Sequence, residues 1–560
     1  MTLFFRYMLF IVLSSAPGSS CEKANSGAEN HRPVAEISAN LINVNPFTYT
    51  FTVIATDPED PLTFSWDFGE GTVRAGTHVE SFSYPENKNF TVKVTVSDGH
   101  TEPVTVSVAV STDTYTITAD SSKHYQTIEG FGGFGAQMQY WGGGPFTSAR
   151  FVDDLINDLG LTILRDNIPT NFEIQNDNAD PFITELDKFN IHNNTPGHDG
   201  KLADHLQFLK DMKAAGLQKL IVSVWSPAPW MKYSGKVGNG TANQNSAPPY
   251  TNNPDSNTNQ LKTDMYNEFA EYCVAYIKTI KNETGIDIYA LSLQNEPRFS
   301  QFYASCVYNG EALRDVIKVV GKRLEDEGLA TKLFMPEDVG WYDGIRSLAE
   351  PVLADADARK YIDMVAVHGY ANDGVNPGSA DAQTWQNMYN WGAAYGIPLW
   401  MTKTSGYPNN HNGAIALGRA MYIALKYGQA SAWVFWSLSS SSLGNYELMN
   451  SAGEKSKRYY LSKNFYKYIR PGATRFEVNA NDEHLLPLVF SNTNEQSVTL
   501  VVINDDNTGK PVKITGTGIP SQFSVYITSE NDNCKEYGTV QTADRILVPA
   551  KSVVTLYKKN

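Results

Sequence analysis

Apolar and polar positions along this chain change their period twice. From Pro33 to Ser111 they alternate in short runs, as in Tyr49 to Ala55, Thr63 to Phe68 and Phe90 to Ser97. Turn clusters such as Asp57-Pro58-Glu59-Asp60 and Asp98-Gly99 separate these runs, a spacing that predicts a small all-β sandwich. After residue 114 the period lengthens. One strand, Tyr115 to Ala119, precedes a Gly-rich run from Glu129 to Gly135. Helical patterns then stop at glycines and hand over to apolar runs. Phe151, Leu155, Ile156 and Leu159 end at Gly160 before Leu161 to Arg165. Leu202, Leu206, Leu209 and Met212 end at Gly216 before Lys219 to Trp225. Leu261, Met265, Phe269, Tyr276 and Ile280 end at Gly285 before the run beginning at Ile288. Glycine just past the last apolar position is the usual C-terminal stop of a helix.

Four more units repeat the alternation. Their apolar runs are Lys332 to Pro336, Met364 to His368, Pro398 to Thr402 and Ala432 to Ser437, each behind a helical pattern. With the Gly-rich run counted first, eight strands are joined by seven helical crossovers, and eight parallel strands close a barrel. From Arg475 to Asn560 the short alternation returns. The predicted class is therefore α/β: a (β/α)8 TIM barrel, a C-terminal β-sandwich side domain and an N-terminal all-β Ig-like domain. Residues 33–112 make the front sandwich, 113–470 the barrel and 471–560 the side domain, with 113–126 expected as a strand of that side domain.

Composition changes this picture at the ends. The chain has 560 residues, so several domains are expected. Its net charge of −15 argues against nucleic acid or anionic lipid as the main partner. Arg6, the apolar run Met8 to Leu13 and small residues up to Ser20 read as an export signal over 1–20, too short to span a bilayer. Cys21 follows Gly18-Ser19-Ser20, which resembles a bacterial lipoprotein cleavage site lacking the usual Leu three residues before the Cys. The expected location is the cell surface, as an outer-membrane lipoprotein, or else secreted; residues 21–32 serve as a linker. Membrane contact is expected only through that lipid. Cys273, Cys306 and Cys534 allow one disulfide and have no zinc spacing.

Candidate chemistry gathers where strands end. Glu296 follows a buried run directly and is followed by Pro297; catalytic groups of parallel barrels sit at such carboxyl ends. On the strand count, Arg165, Trp225, Glu337, Asp338, His368, Tyr370, Lys403 and Trp436 reach the same mouth, with Trp230, Trp341 and Tyr407 just beyond. Rings for the apolar faces of sugars and polar groups for their hydroxyls suit a polysaccharide or oligosaccharide. Gly130, Gly132 and Gly135 fit a dinucleotide fingerprint formally. Trp141-Gly142-Gly143-Gly144 then stands where the helix should begin, so no nicotinamide is expected. Neither a metal nor any other cofactor is expected.

Two resemblances follow from these residues. Ser65-Trp66-Asp67-Phe68-Gly69-Glu70-Gly71, with Val92 to Asp98, resembles the PKD family of immunoglobulin-like domains, which implies a spacer without chemistry. Gln126 to Gly133, Trp225 to Lys232, Leu293 to Pro297, Trp400-Met401-Thr402 and Val434 to Ser437 resemble glycoside hydrolase family 30. That likeness implies a barrel fused to a side sandwich, hydrolysing β-linked glycans with retention. It also implies Glu296 as the general acid/base, Asn295 as a contact to the sugar and Arg165 as the arginine that steadies the nucleophile.

One position departs from the family. After Trp-Met-Thr on the seventh strand the family carries its nucleophilic Glu, and this chain carries Lys403. Retention needs two carboxyl groups roughly 5 Å apart, and a protonated amine cannot attack. A cation there also lowers the pKa of Glu296, which must be protonated to act as an acid. Three readings stay open: an enzyme using Glu337 or Asp338 instead, a glycan-binding protein on a hydrolase scaffold, and a single-residue lesion in an ordinary enzyme. The expectation is a hydrolase scaffold with strongly impaired turnover. It includes Glu296 and Lys403 facing each other across the mouth as an ion pair. The glycan itself, endo or exo attack and the oligomeric state are not specified by these residues.

Overall fold

The computed structural model describes residues 30–135, 148–190, 202–238, 258–301, 303–341, 345–406 and 408–559. The export signal, Cys21 and Tyr407 lie outside the described residues. Contacts divide the chain into two units, with the boundary between Asp113 and Thr114.

The first unit pairs a three-stranded sheet (Val34–Val44, Phe47–Thr56, Val79–Tyr84) with a four-stranded one (Val73–Gly76, Thr63–Asp67, Asn89–Ser97, Val104–Ser111). Phe47, Tyr49, Phe51 and Val53 alternate inward along one strand, the period-2 pattern that buries one face of a sheet. They meet Trp66, which is fully buried and stacks on Phe68 at 5.5 Å between ring centres. The Trp66 indole N–H donates to the Thr77 carbonyl at 3.0 Å, so this large ring is buried without an orphaned donor.

In the second unit eight parallel strands close a barrel in sequence order: Gly130–Phe134, Ile163–Ile168, Lys219–Val224, Ile288–Ser292, Lys332–Val339, Ile362–His368, Leu399–Thr404 and Ala432–Phe435. The first is Gly-rich because its neighbour comes so close: a Cβ on Gly132 would lie 1.9 Å from the Ile163 carbonyl oxygen. Ile163, Ile221, Ala290, Phe334, Met364, Ala366, Trp400, Ala432 and Val434 fill the interior. The barrel is thus a packed core, and its chemistry is confined to the mouth.

Three details differ from the pattern-based reading. The first crossover is a short α-helix, Ala149–Asp153, followed by a π-helical stretch, Asp154–Leu159. The helix before the fourth strand starts at Tyr266, behind a 3-10 turn at Thr263–Met265. Leu261 lies outside it and is buried through an antiparallel bridge to Lys232, so its apolar character reflects a buried loop. The fifth strand continues past Pro336 to Val339.

Beyond the barrel the C-terminal strands form one nine-stranded sheet with its own core, including Ile117, Phe476, Val489, Leu500 and Phe523. The strand Tyr115–Thr127 sits inside this sheet, antiparallel to Thr474–Ala480 and parallel to Lys510–Gly516. Cys273, Cys306 and Cys534 are all buried and free.

Candidate active site

Alternation along each strand carries the interior pattern up to the mouth. Two residues after inward-facing Ile163, Ile221, Ala366 and Val434 come Arg165, Ser223, His368 and Trp436. Two other groups get there by breaking the alternation. Next to the sixth strand, Val367 pairs with Met401 but His368 pairs with Lys403, so Thr402 is an extra residue and Lys403 takes the register of inward-facing His368. On the fifth strand Pro336 pairs with Ala366 and Asp338 with Val367, which makes Glu337 the extra residue. Its φ is 55°, and that of Glu296 is 51°, a left-handed backbone that non-glycine residues adopt at a cost. The Glu296 N–H donates to the Glu337 carbonyl at 2.9 Å, joining the two unusual turns. Bulges of this kind re-aim side chains beside active sites.

Lys403 Nζ lies 2.8 Å from Glu296 Oε1, with the two residues only 8% and 6% exposed. His368 stands between two carboxylates, Nδ1 at 2.9 Å from Glu296 Oε1 and Nε2 at 3.4 Å from Glu337 Oε1. Arg165 grips Glu337 with two bonds, Nε to Oε1 at 3.0 Å and Nη2 to Oε2 at 3.2 Å. Its Nη2 also reaches Asn295 Oδ1 at 3.0 Å. The Ser223 hydroxyl donates to Glu337 Oε2 at 2.6 Å. Arg165 therefore steadies Glu337, and Lys403 is paired with Glu296. Asp338 turns to Arg298, so each of the other two strand-end carboxylates already has a cationic partner.

The charges decide what Glu296 can do. Burial alone would push its carboxyl up, yet Lys403 and His368 beside it hold it well below the usual carboxylate range. Glu337 resists burial in the same way and is held down at about 2, chiefly by Arg165 and then His368. Burial draws the Lys403 ammonium down from its ordinary value, with Glu296 opposing and Arg165 adding to the fall. Glu296 and Glu337 are thus held toward the ionised form by Lys403, Arg165 and His368, whereas burial pushes the Asp338 carboxyl up.

Rings wall these charges. Phe134, Trp225 and Trp436 form a cluster with centroid separations of 4.2 Å for Phe134–Trp436 and 5.3 Å for Phe134–Trp225. Arg165 lies over Trp225 at 4.7 Å. Lys403 Nζ lies 4.6 Å from the Trp436 ring centre, 5.6 Å from Trp225 and 5.7 Å from Tyr370, a cation held in an aromatic box. Trp230 is partly buried against the main core. Trp341 is not in this cluster: it is 3% exposed and packs edge-to-face on Trp391 at 5.5 Å.

Sequence reasoning did not single out Ser223, Phe134 or Gln294. The Gln294 side-chain amide donates to the Trp225 carbonyl at 2.8 Å and fixes that ring's strand end. Phe134 and Ser223 carry only the inward alternation as a signal. Among the described residues no group of three or more His, Cys, Asp or Glu is arranged to hold a metal.

Comparison with known proteins agrees with this fold. Residues 174–391 match the profile of the glycosyl hydrolase family 30 TIM-barrel domain, and residues 30–113 match that of the PKD domain. Over 323 residues the chain is 27% identical to glucuronoxylanase XynC of Bacillus subtilis, covering 55% of this chain and 70% of that one. Over 283 residues it is 28% identical to endo-1,6-beta-D-glucanase neg1 of Aspergillus fumigatus, covering 47% and 53%. The catalytic domain of family 30 xylanase C from Talaromyces cellulolyticus shares the fold, with a TM-score of 0.62, 23% identity and coverage of 80% and 100%.

Proposed function

We propose, from the match of residues 174–391 to the family 30 barrel profile after a PKD match over 30–113, that this chain engages β-linked glycans at the barrel mouth but hydrolyses them poorly. One observation carries the reading: the 2.8 Å ion pair between Lys403 and Glu296. In a retaining mechanism one carboxyl protonates the leaving oxygen while a second attacks the anomeric carbon. Here the seat of attack holds an ammonium, and the same ammonium keeps Glu296 ionised. Glu337, held by Arg165 and Ser223, is a poor substitute because it ends the fifth strand and not the seventh, with the His368 ring standing between it and Glu296.

The single substitution leaves the binding groups of the mouth in place. The rings around Lys403 offer stacking surfaces, and Asn295 and the cationic groups offer donors to hydroxyls. Binding and turnover therefore separate, which distinguishes this reading from an ordinary glycosidase. The test is a panel of soluble β-linked polysaccharides assayed for binding by affinity electrophoresis and for reducing-sugar release. Retarded migration without release is the expected result. Efficient release by the natural chain would overturn it.

A further inference from the structure

A second hollow is lined by segments that follow the third and fourth barrel strands. Its volume is about 510 Å³, within the size of ordinary small-ligand sites (about 300–1,000 Å³). The floor is buried and apolar, made by Leu261, Val307 and Tyr308. The walls are tied to the site already described: the Tyr308 N–H donates to the Pro297 carbonyl at 2.8 Å, one residue past Glu296. The Tyr233 N–H donates to the Gln260 carbonyl at 3.0 Å, three residues past Trp230.

Two rings and several fixed polar groups face this floor. Tyr233 is 55% exposed, and Tyr266, half-buried, lines the same hollow. Asn309 caps the following helix through its side-chain oxygen, accepting from the Ala312 N–H at 2.8 Å, which leaves its amide N–H groups to donate. Glu311 and Asp315 add carboxylates one helical turn apart. Arg314 and Lys318 hold Asp315 at 2.8 and 3.5 Å, so it is an ionised acceptor. Among the described residues no Lys, Arg or His lines the hollow.

We propose that this hollow is a second glycan-binding site, taking neutral sugar residues of a β-linked chain, with Tyr233 and Tyr266 as stacking platforms and Asn309, Glu311 and Asp315 as hydroxyl partners. The proposal rests on reading the chain as a glycan binder. Sugar hydroxyls donate well to carboxylates, and sugar CH faces stack on tyrosine rings. Arg314 and Lys318 offset Asp315, but a uronate carboxylate would still meet the charge of Glu311 on the wall, so neutral residues are favoured over acidic ones.

The test compares the full chain with Tyr233→Ala and with the mouth variant Trp436→Ala by isothermal titration. The probes are a neutral β-linked xylo-hexasaccharide, the corresponding gluco-hexasaccharide, and a glucuronate-bearing xylo-oligosaccharide. Tyr233 is exposed and outside the core, and an unchanged thermal midpoint verifies that its variant folds. The expected result is weakening of about threefold to tenfold for a neutral hexasaccharide in Tyr233→Ala, and weaker binding of the acidic probe at that site. Unchanged affinity in Tyr233→Ala, with loss in Trp436→Ala, overturns the second site and leaves the mouth reading intact. Loss in Tyr233→Ala alone keeps the second site and overturns the mouth as the binding place. No binding of any probe, or binding altered by neither variant, overturns both.

Discussion

Replacing Lys403 with Glu exchanges an attraction for a repulsion at a buried point of the mouth. Two carboxylates would face each other where an ion pair now stands at 2.8 Å, and like charge raises the pKa of Glu296 toward the range of a general acid. The nucleophile and the acid would be restored by a single substitution. Hydrolysis of a β-linked substrate should rise at least about a thousandfold, because a covalent step is regained. Initial rates of reducing-sugar release from the natural chain and from Lys403→Glu measure this, and equal rates would mean that more than one catalytic part is missing. Glu296 was legible at this scale, because a carboxylate between an apolar run and a proline has little to do in packing. The grip of Arg165 on Glu337 was not, since it depends on an extra residue in a strand and a φ of 55°, neither of which leaves a periodic trace. Trp341 shows the opposite failure: a ring just past a strand end can serve the mouth or the core, and Trp391, the partner that claims it, is fifty residues away in sequence.

At the scale of elements, the segment after the second strand packs against the helix Tyr266–Thr284 by a contact that costs charge. Glu173 is 1% exposed, and neither of its carboxyl oxygens has a hydrogen-bond partner. Burial, with Asp177, Glu271 and Glu268 around it, carries its pKa from 4.5 up to about 9. Glu271 rises to about 7, again chiefly by burial. A folded-state pKa above the unfolded one means that the folded chain binds the extra proton. The stabilisation is complete below about pH 4.5 and is lost as pH rises toward about 9. One such proton changes stability by at most about 1.4 kcal/mol per pH unit. Thermal midpoints should therefore fall between pH 5 and pH 8 in the natural chain (about three pH units), and Glu173→Gln should flatten that slope. A slope unchanged by the substitution would show that Glu173 is not the group responsible. Strand and helix order were readable here from apolar periods and glycine stops. Leu261, taken for the first turn of this helix, was misread because a buried loop and a buried helix face both demand an apolar residue.

Across the whole molecule, the first unit contributes none of the groups at the mouth or in the second hollow, all of which lie beyond Thr114. A chain starting at residue 114 should bind soluble glycan with the affinity of the full chain, measured by titration with the same hexasaccharides. Loss of affinity would give the front sandwich a share of recognition. The division into a front sandwich, a barrel and a C-terminal β-rich part was visible in the two changes of apolar period. The β-sandwich expected at the C-terminus is built from nine strands hydrogen-bonded in one sheet, an order that alternation cannot supply because it fixes the buried face and is silent on neighbours.

That single sheet sets a timetable. Its strand Tyr115–Thr127 finds its antiparallel partner only at Thr474, where Thr474 pairs with Thr127, so the entire barrel is spelled out between two adjacent strands. At ordinary synthesis rates of roughly 5–20 residues per second, the early strand waits roughly 20 to 70 s for its partner to be made. Throughout that interval its edge lacks its antiparallel partner and is a site for mispairing.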